Sequence, residues 1–356
     1  MIYFICPDGN DPVGGNKQIY RHAGILASSG MDAYVLHSRR GFSCTWFSHS
    51  TPVAHLPAPL RHRVSRAAGR VVKRLHPGRD LNIHAGRKIV LNTVSGRQVV
   101  ALNGEDVVVT PEYYGSRLTG AFSGVKVIIL NQNAHYTFRN WGFNAPAHSN
   151  IYEQSSTLGA VCVSLHNQKY LEKAFPALRI ARAINGIDPS VFHIGDPNRE
   201  KIISFMPRKR SDHLEQVIQI LHMRGALSGW RVLPIAGLSE SQVSDVLRRT
   251  SVFLSDCRDE GFGLPPLEAA ISGALIVGYR GYAAAEYFTD EFGWPVMQDD
   301  VLDFVAQAER AVSFAEAGGD RAATHRQRVS ESLAQRYSLQ NEVDSVLAAY
   351  AHLLRA

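Results

Sequence analysis

Little in this sequence points to a stapled or membrane-embedded protein. It holds four cysteines, Cys6, Cys44, Cys162 and Cys257, far apart and with no CxxC pair. That argues against a disulfide framework or a structural zinc site and fits a reducing compartment. No uncharged apolar run approaches the roughly 20 residues of a membrane span. The opening MIYFICPDGN lacks a basic start and reads as a first strand instead of a signal peptide. Short internal repeats and low-complexity tracts are missing as well. The expectation is a protein that is soluble, or attached at most to a membrane surface.

What is present is globular. The 356 residues are 45% hydrophobic and 20% charged, enough for two domains of ordinary size. The formal charge of +6 and the isoelectric point of about 9.2 favour anionic partners. Apolar runs alternate with helical patterns along the chain: Ile2 to Cys6, Ala33 to His37, Asp106 to Thr110, Val125 to Leu130 and Ala160 to Leu165. The second half continues with Lys201 to Phe205, Trp230 to Gly237, Ser251 to Ser255 and Ala274 to Tyr279. Runs that are apolar throughout suit parallel strands buried on both faces. The expected fold is therefore α/β, with two doubly wound Rossmann-like domains. The polar stretch His193 to Glu200 is the linker candidate, giving domains 1–195 and 196–337, followed by an amphipathic C-terminal helix in 338–356.

The segment DEGFGLPPLEAAISGALIVGY, Asp259 to Tyr279, carries the chemistry. It follows a strand, so it lies at the sheet edge where open α/β folds bind ligands. Pro265 and Pro266 are tolerated only in a first helical turn, which starts the helix at about Leu264. The free amides and dipole at such a start favour a phosphate. Gly261 and Gly263 let the backbone approach a ligand closely. Glu260 in the loop and Glu268 one turn into the helix can accept hydrogen bonds from paired sugar hydroxyls. A phosphate cradle with two hydroxyl readers is suited to a nucleotide sugar.

EGFGLPPLEAAISGALIVG resembles the glutamate, seven residues, glutamate motif of family-4 retaining glycosyltransferases, which have the GT-B fold. VGGNKQIYRHAGILASSG (Val13 to Gly30), VCVSLHNQKYLEKAF with INGIDPSVF (Ile184 to Phe192), and MPRKR (Met206 to Arg210) resemble further family segments in the family's order. The likeness is least clear from Phe42 to Asn103. It implies two domains facing a cleft, with the C-terminal helix crossing back to the N-terminal, acceptor-binding domain. Glu268 would hold the donor ribose and Glu260 the donor sugar. The amides of Phe262, Gly263 and Leu264 would contact sugar or phosphate. Arg208 and Lys209 would neutralise the departing diphosphate, and Gly14 and Gly15 would let the N-terminal domain close on it. His135 would stand near the attacked carbon, although Asn131, Gln132 and Asn133 share that strand end. Asn185 and Asp188 are turn formers around Gly186. The family's Gly-Arg at the end of the first C-domain strand is replaced by Ser204 and Phe205. Its glycine pair is replaced by Ala283, Ala284 and Ala285 before Glu286, whose methyls should narrow that loop.

The implied reaction is a retaining, metal-independent hexosyl transfer from a nucleoside diphosphate sugar to a glycan or lipid-linked acceptor, with no cofactor. No DxD-like triad stands where a metal would be expected. Two other readings stay open. A non-catalytic member could keep the fold as a binding or assembly subunit; the alanine run allows it and the pair Glu260 and Glu268 argues against it. A dinucleotide-dependent oxidoreductase would need GxGxxG after the first strand, where the chain has only PVGGNK.

One stretch has no acid at all. In PLRHRVSRAAGRVVKRLHP, Pro59 to Pro77, the residues Leu60, Val64, Ala67, Val71 and Leu75 line one helical face. Arg61, Arg63, Arg66, Arg70, Lys73 and Arg74 stand at other positions. The stretch suits a surface helix packed on the first domain, or a helix at residues 60–75 lying on an anionic bilayer. Nucleic acid is not expected, since no aromatic platform or motif accompanies it. The bilayer reading sets the protein at the inner face of a cytoplasmic membrane, in surface polysaccharide or glycolipid assembly.

Overall fold

The computed structural model describes residues 1–57, 82–93, 96–144, 150–207 and 212–355. The basic segment 60–75 lies outside the described residues. The chain divides into two compact units. The first comprises Met1–Val163, Asn167–Ala183 and Val343–Ala356; the second comprises Ser164–His166 and Ile184–Glu342. Residues 184–195, expected with the first domain, thus group with the second. The stretch 193–200 is built into that unit and is not an open linker: the Arg199 guanidinium donates to backbone carbonyls of Leu247, Arg248, Thr250 and Ser272.

Among the described residues, the first unit is built on a nine-stranded sheet. In chain order its elements are β1 (Ile2–Ile5), α1 (Gly14–Ser28), β2 (Ala33–His37), β3 (Val53–His55), β4 (Ile83–His84), β5 (Lys88–Thr93), β6 (Gly96–Ala101), β7 (Val107–Pro111), β8 (Phe122–Ser123), β9 (Lys126–Asn131), β10 (Thr157–Cys162), α2 (Leu165–Ala174) and β11 (Ile180–Arg182). The sheet order is β11-β10-β9-β7-β1-β2-β3-β5-β6, with β4 and β8 paired separately. All pairs from β11 through to β3 are parallel. Strands β5 and β6 extend that edge as an antiparallel hairpin. Successive residues of β1 and β7 point to opposite faces, and both faces are covered. Tyr3, Ile5 and Val108 pack in one core; Ile2, Phe4, Val107 and Val109 pack in the other, with α1. That double burial explains runs without polar alternation. The run expected as a strand to Leu165 ends at Cys162, and Leu165 instead begins α2.

The second unit contains β12 (Ile202–Phe205), α3 (Asp212–Met223), β13 (Arg231–Pro234), α4 (Glu240–Arg249), β14 (Val252–Asp256), α5 (Leu264–Ile271), β15 (Leu275–Tyr279), β16 (Gly293–Val296), α6 (Val301–Ala317) and α7 (Gly319–Arg336). Its sheet, β13-β12-β14-β15-β16, is parallel throughout. Helix α8 (Leu339–Leu354) follows. Its Val346, Ala349, Tyr350 and Leu353 are buried in the core of the first unit, beside Phe4 and Leu26.

Candidate functional site

In the second unit, β14 ends at Asp256 and α5 begins at Leu264, so the loop 257–263 leaves the carboxyl end of a central strand. Gly263 caps the helix in the left-handed region, at φ 84°. A side chain there would be strained by its backbone and would strike Cys257 Sγ, while lying 3.1 Å from the Tyr287 hydroxyl and 3.2 Å from Ala284 Cβ. The Tyr287 hydroxyl donates to the Gly263 carbonyl. Phe262 is buried and packs with Tyr287 and Tyr337, ring centroids 5.4–5.9 Å apart. An aromatic triad therefore holds the loop from below. The phenyl ring of Phe262 serves this packing, so only its amide is left for a ligand.

Among the described residues no side chain caps helix α5, its first turn holds no acid, and Pro265 and Pro266 take its second and third positions. The two prolines carry no N–H, so within the first three helical positions only the Leu264 amide is left for an anion. Glu260 precedes the first helical residue by four positions and Glu268 follows it by four, and both are partly buried. The alanine run packs inward: Ala283 and Ala284 are buried, and Glu286 accepts the Leu165 N–H at 3.0 Å and the Tyr337 hydroxyl at 3.4 Å. Arg258, two residues before Glu260, was not singled out by its sequence context. Its Nε and Nη2 reach the Asp256 carboxylate at 2.6 and 2.9 Å, and it also meets Asp299 at 3.3 Å and Asp212 at 3.5 Å. Hydrogen bonding to Asp256 holds the guanidinium pKa above its ordinary value. Arg258 is thus an anchor for the loop. Ser204 accepts from Thr250 at 2.9 Å within the core, so it has no role at this edge. Arg208 and Lys209 lie outside the described residues.

The first unit gathers its own set at the carboxyl edge of β1, β7 and β9. Helix α1 starts at Gly14, again with no side-chain cap and no acid in its first turn. A Cβ on Gly15 would meet Gln132 Oε1 at 3.5 Å, an ordinary contact, so packing alone does not require glycine there. The Gln132 side chain donates to the Gly15 carbonyl at 3.2 Å, and its backbone N–H donates to Glu112 Oε2 at 2.9 Å. His135 is exposed in a short 3-10 turn, its backbone N–H bonded to Asn133 Oδ1 at 3.0 Å. Gly14, Gly15 and His135 are thereby brought to one sheet edge, with Gln132 bridging from Gly15 to the strand that leads to His135. Asn131 is consumed structurally, donating to Thr137 and Tyr152 at 2.9 Å.

Glu112 was missed by sequence reasoning. It is buried at the end of β7, and burial pushes its carboxyl pKa up to about 7. The chain Asp8–His37–Tyr20 was missed too: His37 Nδ1 lies 2.9 Å from Asp8 and Nε2 lies 2.6 Å from the Tyr20 hydroxyl. It ties the glycine-rich loop to β2. Neither could be found from spacing, because each joins residues many positions apart. In the turn of the NG segment, Asp188 Oδ1 accepts from the Ser190 N–H and hydroxyl at 2.9 and 2.6 Å. That is the turn-forming role expected of it.

Residues 229–322 match the family Glycosyl transferases group 1. The matched stretch lies within the second unit. The matched group 1 segment runs from just before β13 into α7 and includes both Glu260 and Glu268. A curated relative, an alpha-1,6-glucosyltransferase of Actinobacillus pleuropneumoniae, is 27% identical over 234 residues, 62% of this chain and 66% of that protein. The aligned region thus spans about two thirds of the relative. Among solved structures, TarM of S. aureus superposes with a TM-score of 0.66 at 10% identity, over 100% of this chain and 98% of that one. The pneumococcal O-GlcNAc transferase GtfA, solved with UDP and GlcNAc, gives 0.57 at 12% identity over 100% and 99%. The fold is that of GT-B glycosyltransferases, built from two Rossmann-like α/β units.

Proposed function

We propose that the protein is a retaining, metal-independent glycosyltransferase that moves a hexose from a nucleoside diphosphate sugar to an acceptor hydroxyl in bacterial surface polysaccharide or glycolipid assembly. The observation that carries this reading is the start of α5. A helix without a side-chain cap opens from a left-handed Gly263 held by Tyr287, with Glu260 four residues before its first residue and Glu268 four after it. The amides of Phe262, Gly263 and Leu264 receive the phosphate or sugar, Glu268 the ribose, and Glu260 the donor sugar. The glucosyltransferase relative and the UDP-bound neighbour support a sugar donor of this kind.

In the proposed step the bond from the anomeric carbon to the diphosphate oxygen breaks. The acceptor oxygen bonds to that carbon on the same face, and its proton passes to the departing phosphate. Arg208 and Lys209 would offset the growing negative charge electrostatically. Glu260 orients the sugar and is not a nucleophile. Gly14, Gly15 and His135 are the first unit's contribution, and the acceptor is a glycan or a lipid-linked sugar.

A thermal-shift panel of UDP, GDP, dTDP, ADP and NAD, each with and without Mg²⁺, tests the reading, since a ligand of the folded state raises the melting temperature by mass action. One nucleoside diphosphate should stabilise the protein equally with and without the metal. A flat response would favour the non-catalytic reading, and a shift with NAD alone would overturn sugar transfer.

A further inference from the structure

A cavity of about 510 Å³ lies in the second unit between residues 194–199 and helix α7. Arg199 and Arg326 both line it, with Arg328, Thr324, Asp196 and Glu331 also on its wall. Arg326 is only 6% exposed, and its Nε and Nη2 are buried without a hydrogen-bond partner among the described residues. The Nε of Arg199 is in the same condition. The rest of that guanidinium is engaged with the carbonyls that end α4 and cap α5. Burial, and after it the Arg326 charge, lowers the Arg199 pKa to about 10; burial lowers that of Arg326 too.

The neighbouring charges offset this pair only in part: Asp196 favours the Arg199 charge, yet burial and Arg326 outweigh it. Arg328 is taken by Glu291 at 2.7 Å. Asp196 is exposed and accepts the Asn198 N–H at 2.7 Å, and the exposed Glu331 accepts from Gln327 at 2.5 Å. Two guanidinium groups therefore converge on one cavity with three buried N–H-bearing nitrogens unmatched. An uncompensated buried charge is strongly destabilising unless something pairs with it. Guanidinium geometry matches phosphate oxygens, and a phosphomonoester brings nearly two negative charges and three strong acceptors. The cavity volume lies in the range of small-molecule sites.

We propose that this cavity binds a small phosphate-bearing ligand, inorganic phosphate or a phosphorylated monosaccharide, through Arg326 and the Nε of Arg199. The site is separate from the Glu260–Glu268 segment and does not depend on the reading given to it.

The test is a thermal-shift titration with inorganic phosphate and with a hexose 6-phosphate, at ionic strength fixed with chloride. The wild-type melting temperature should rise saturably with phosphate. Arg326→Gln should weaken the apparent affinity at least tenfold. Should that variant fail to fold, Thr324→Asp decides. Thr324 is exposed on the cavity rim, so a carboxylate there repels the anion without disturbing the core, and the same tenfold loss is expected. An affinity for the hexose phosphate at least tenfold tighter would assign the cavity to a phosphorylated sugar; equal or weaker affinity would assign it to inorganic phosphate. No shift beyond that of chloride, or a phosphate shift unchanged in Thr324→Asp, would overturn the proposal.

Discussion

The hydroxyl of Tyr287 donates a hydrogen bond to the carbonyl of Gly263, the residue whose left-handed backbone opens α5. The two positions are 24 apart in sequence. Tyr287 is fully buried, and burial holds its phenol well above the ordinary pKa, so it donates across all physiological pH. Tyr287→Phe should lower stability by about 1 kcal/mol, the net worth of one hydrogen bond. Gly263→Ala should lower it by about 1–3 kcal/mol from backbone strain, with the clash on Cys257 adding to that. Urea denaturation at fixed pH measures both, and a Gly263→Ala protein as stable as wild type would show that the turn tolerates a side chain.

If Glu268 reads the ribose and Glu260 the sugar, the two variants should separate by ligand. Glu268→Ala should weaken binding of the nucleoside diphosphate alone by about 1–3 kcal/mol. Glu260→Ala should leave that affinity intact and weaken only the sugar-bearing donor. Titration calorimetry with both ligands distinguishes them; equal losses for both variants on the bare diphosphate would refute the division of roles.

Arg258 and Asp256 form a nearly dry pair, their side chains 9% and 6% exposed. Removing one partner of such a pair strands the other. Arg258→Met should lose about 3 kcal/mol of stability. Adding Asp256→Asn should restore part of that loss, because the stranded charge is gone. A double variant less stable than Arg258→Met alone would mean the carboxylate has its own role in the fold.

Two buried groups of the first unit impose opposite pH slopes. His22 is fully buried, its Nδ1 3.3 Å from the Tyr350 hydroxyl on α8, and burial lowers its pKa to about 3. Its folded pKa is depressed, so its stabilising contribution is complete above the unfolded pKa near 6.5 and declines as pH falls. Glu112 has a raised folded pKa of about 7, so its contribution is complete below the unfolded value near 4.5 and is lost as pH rises through 7. Between pH 5 and 6.5 the two oppose each other, each by about 2 kcal/mol at 1.36 kcal/mol per unit. Measured against wild type, Glu112→Gln should gain stability as pH rises through that window, and His22→Phe should lose it. Parallel profiles for wild type and both variants would rule out these titrations.

The basic segment gives a separate test. If residues 60–75 lie on an anionic bilayer, replacing Arg63, Arg66 and Arg70 with Glu should abolish binding to liposomes rich in anionic lipid, since each basic residue contributes about 1 kcal/mol near such a surface. Unchanged binding would remove the membrane from the proposal.

The alternating pattern was legible because parallel strands buried on both faces leave long apolar runs, and because α8 carries its stripe in consecutive turns. The start of α5 was legible for a local reason as well: two prolines can occupy only a first turn, and the observed helix begins at Leu264. The β5–β6 hairpin was not read, since β6 is largely exposed and lacks an apolar run. The stretch 193–200 looked like a linker because its composition is polar. Arg199 makes it part of the second unit through carbonyls about 50 to 70 positions away.

The sequence by itself determined what local chemistry can determine: two α/β halves, a glycine–proline helix start, and a pair of glutamates eight positions apart. These depend on backbone sterics and short-range periodicity, which neighbouring residues express directly. Only the tertiary structure decided which polar groups are stranded or satisfied. Glu112, His22, Arg258 and Arg326 are ordinary ionisable residues in the sequence. Their properties come from what distant segments place beside them, and from the water those segments exclude.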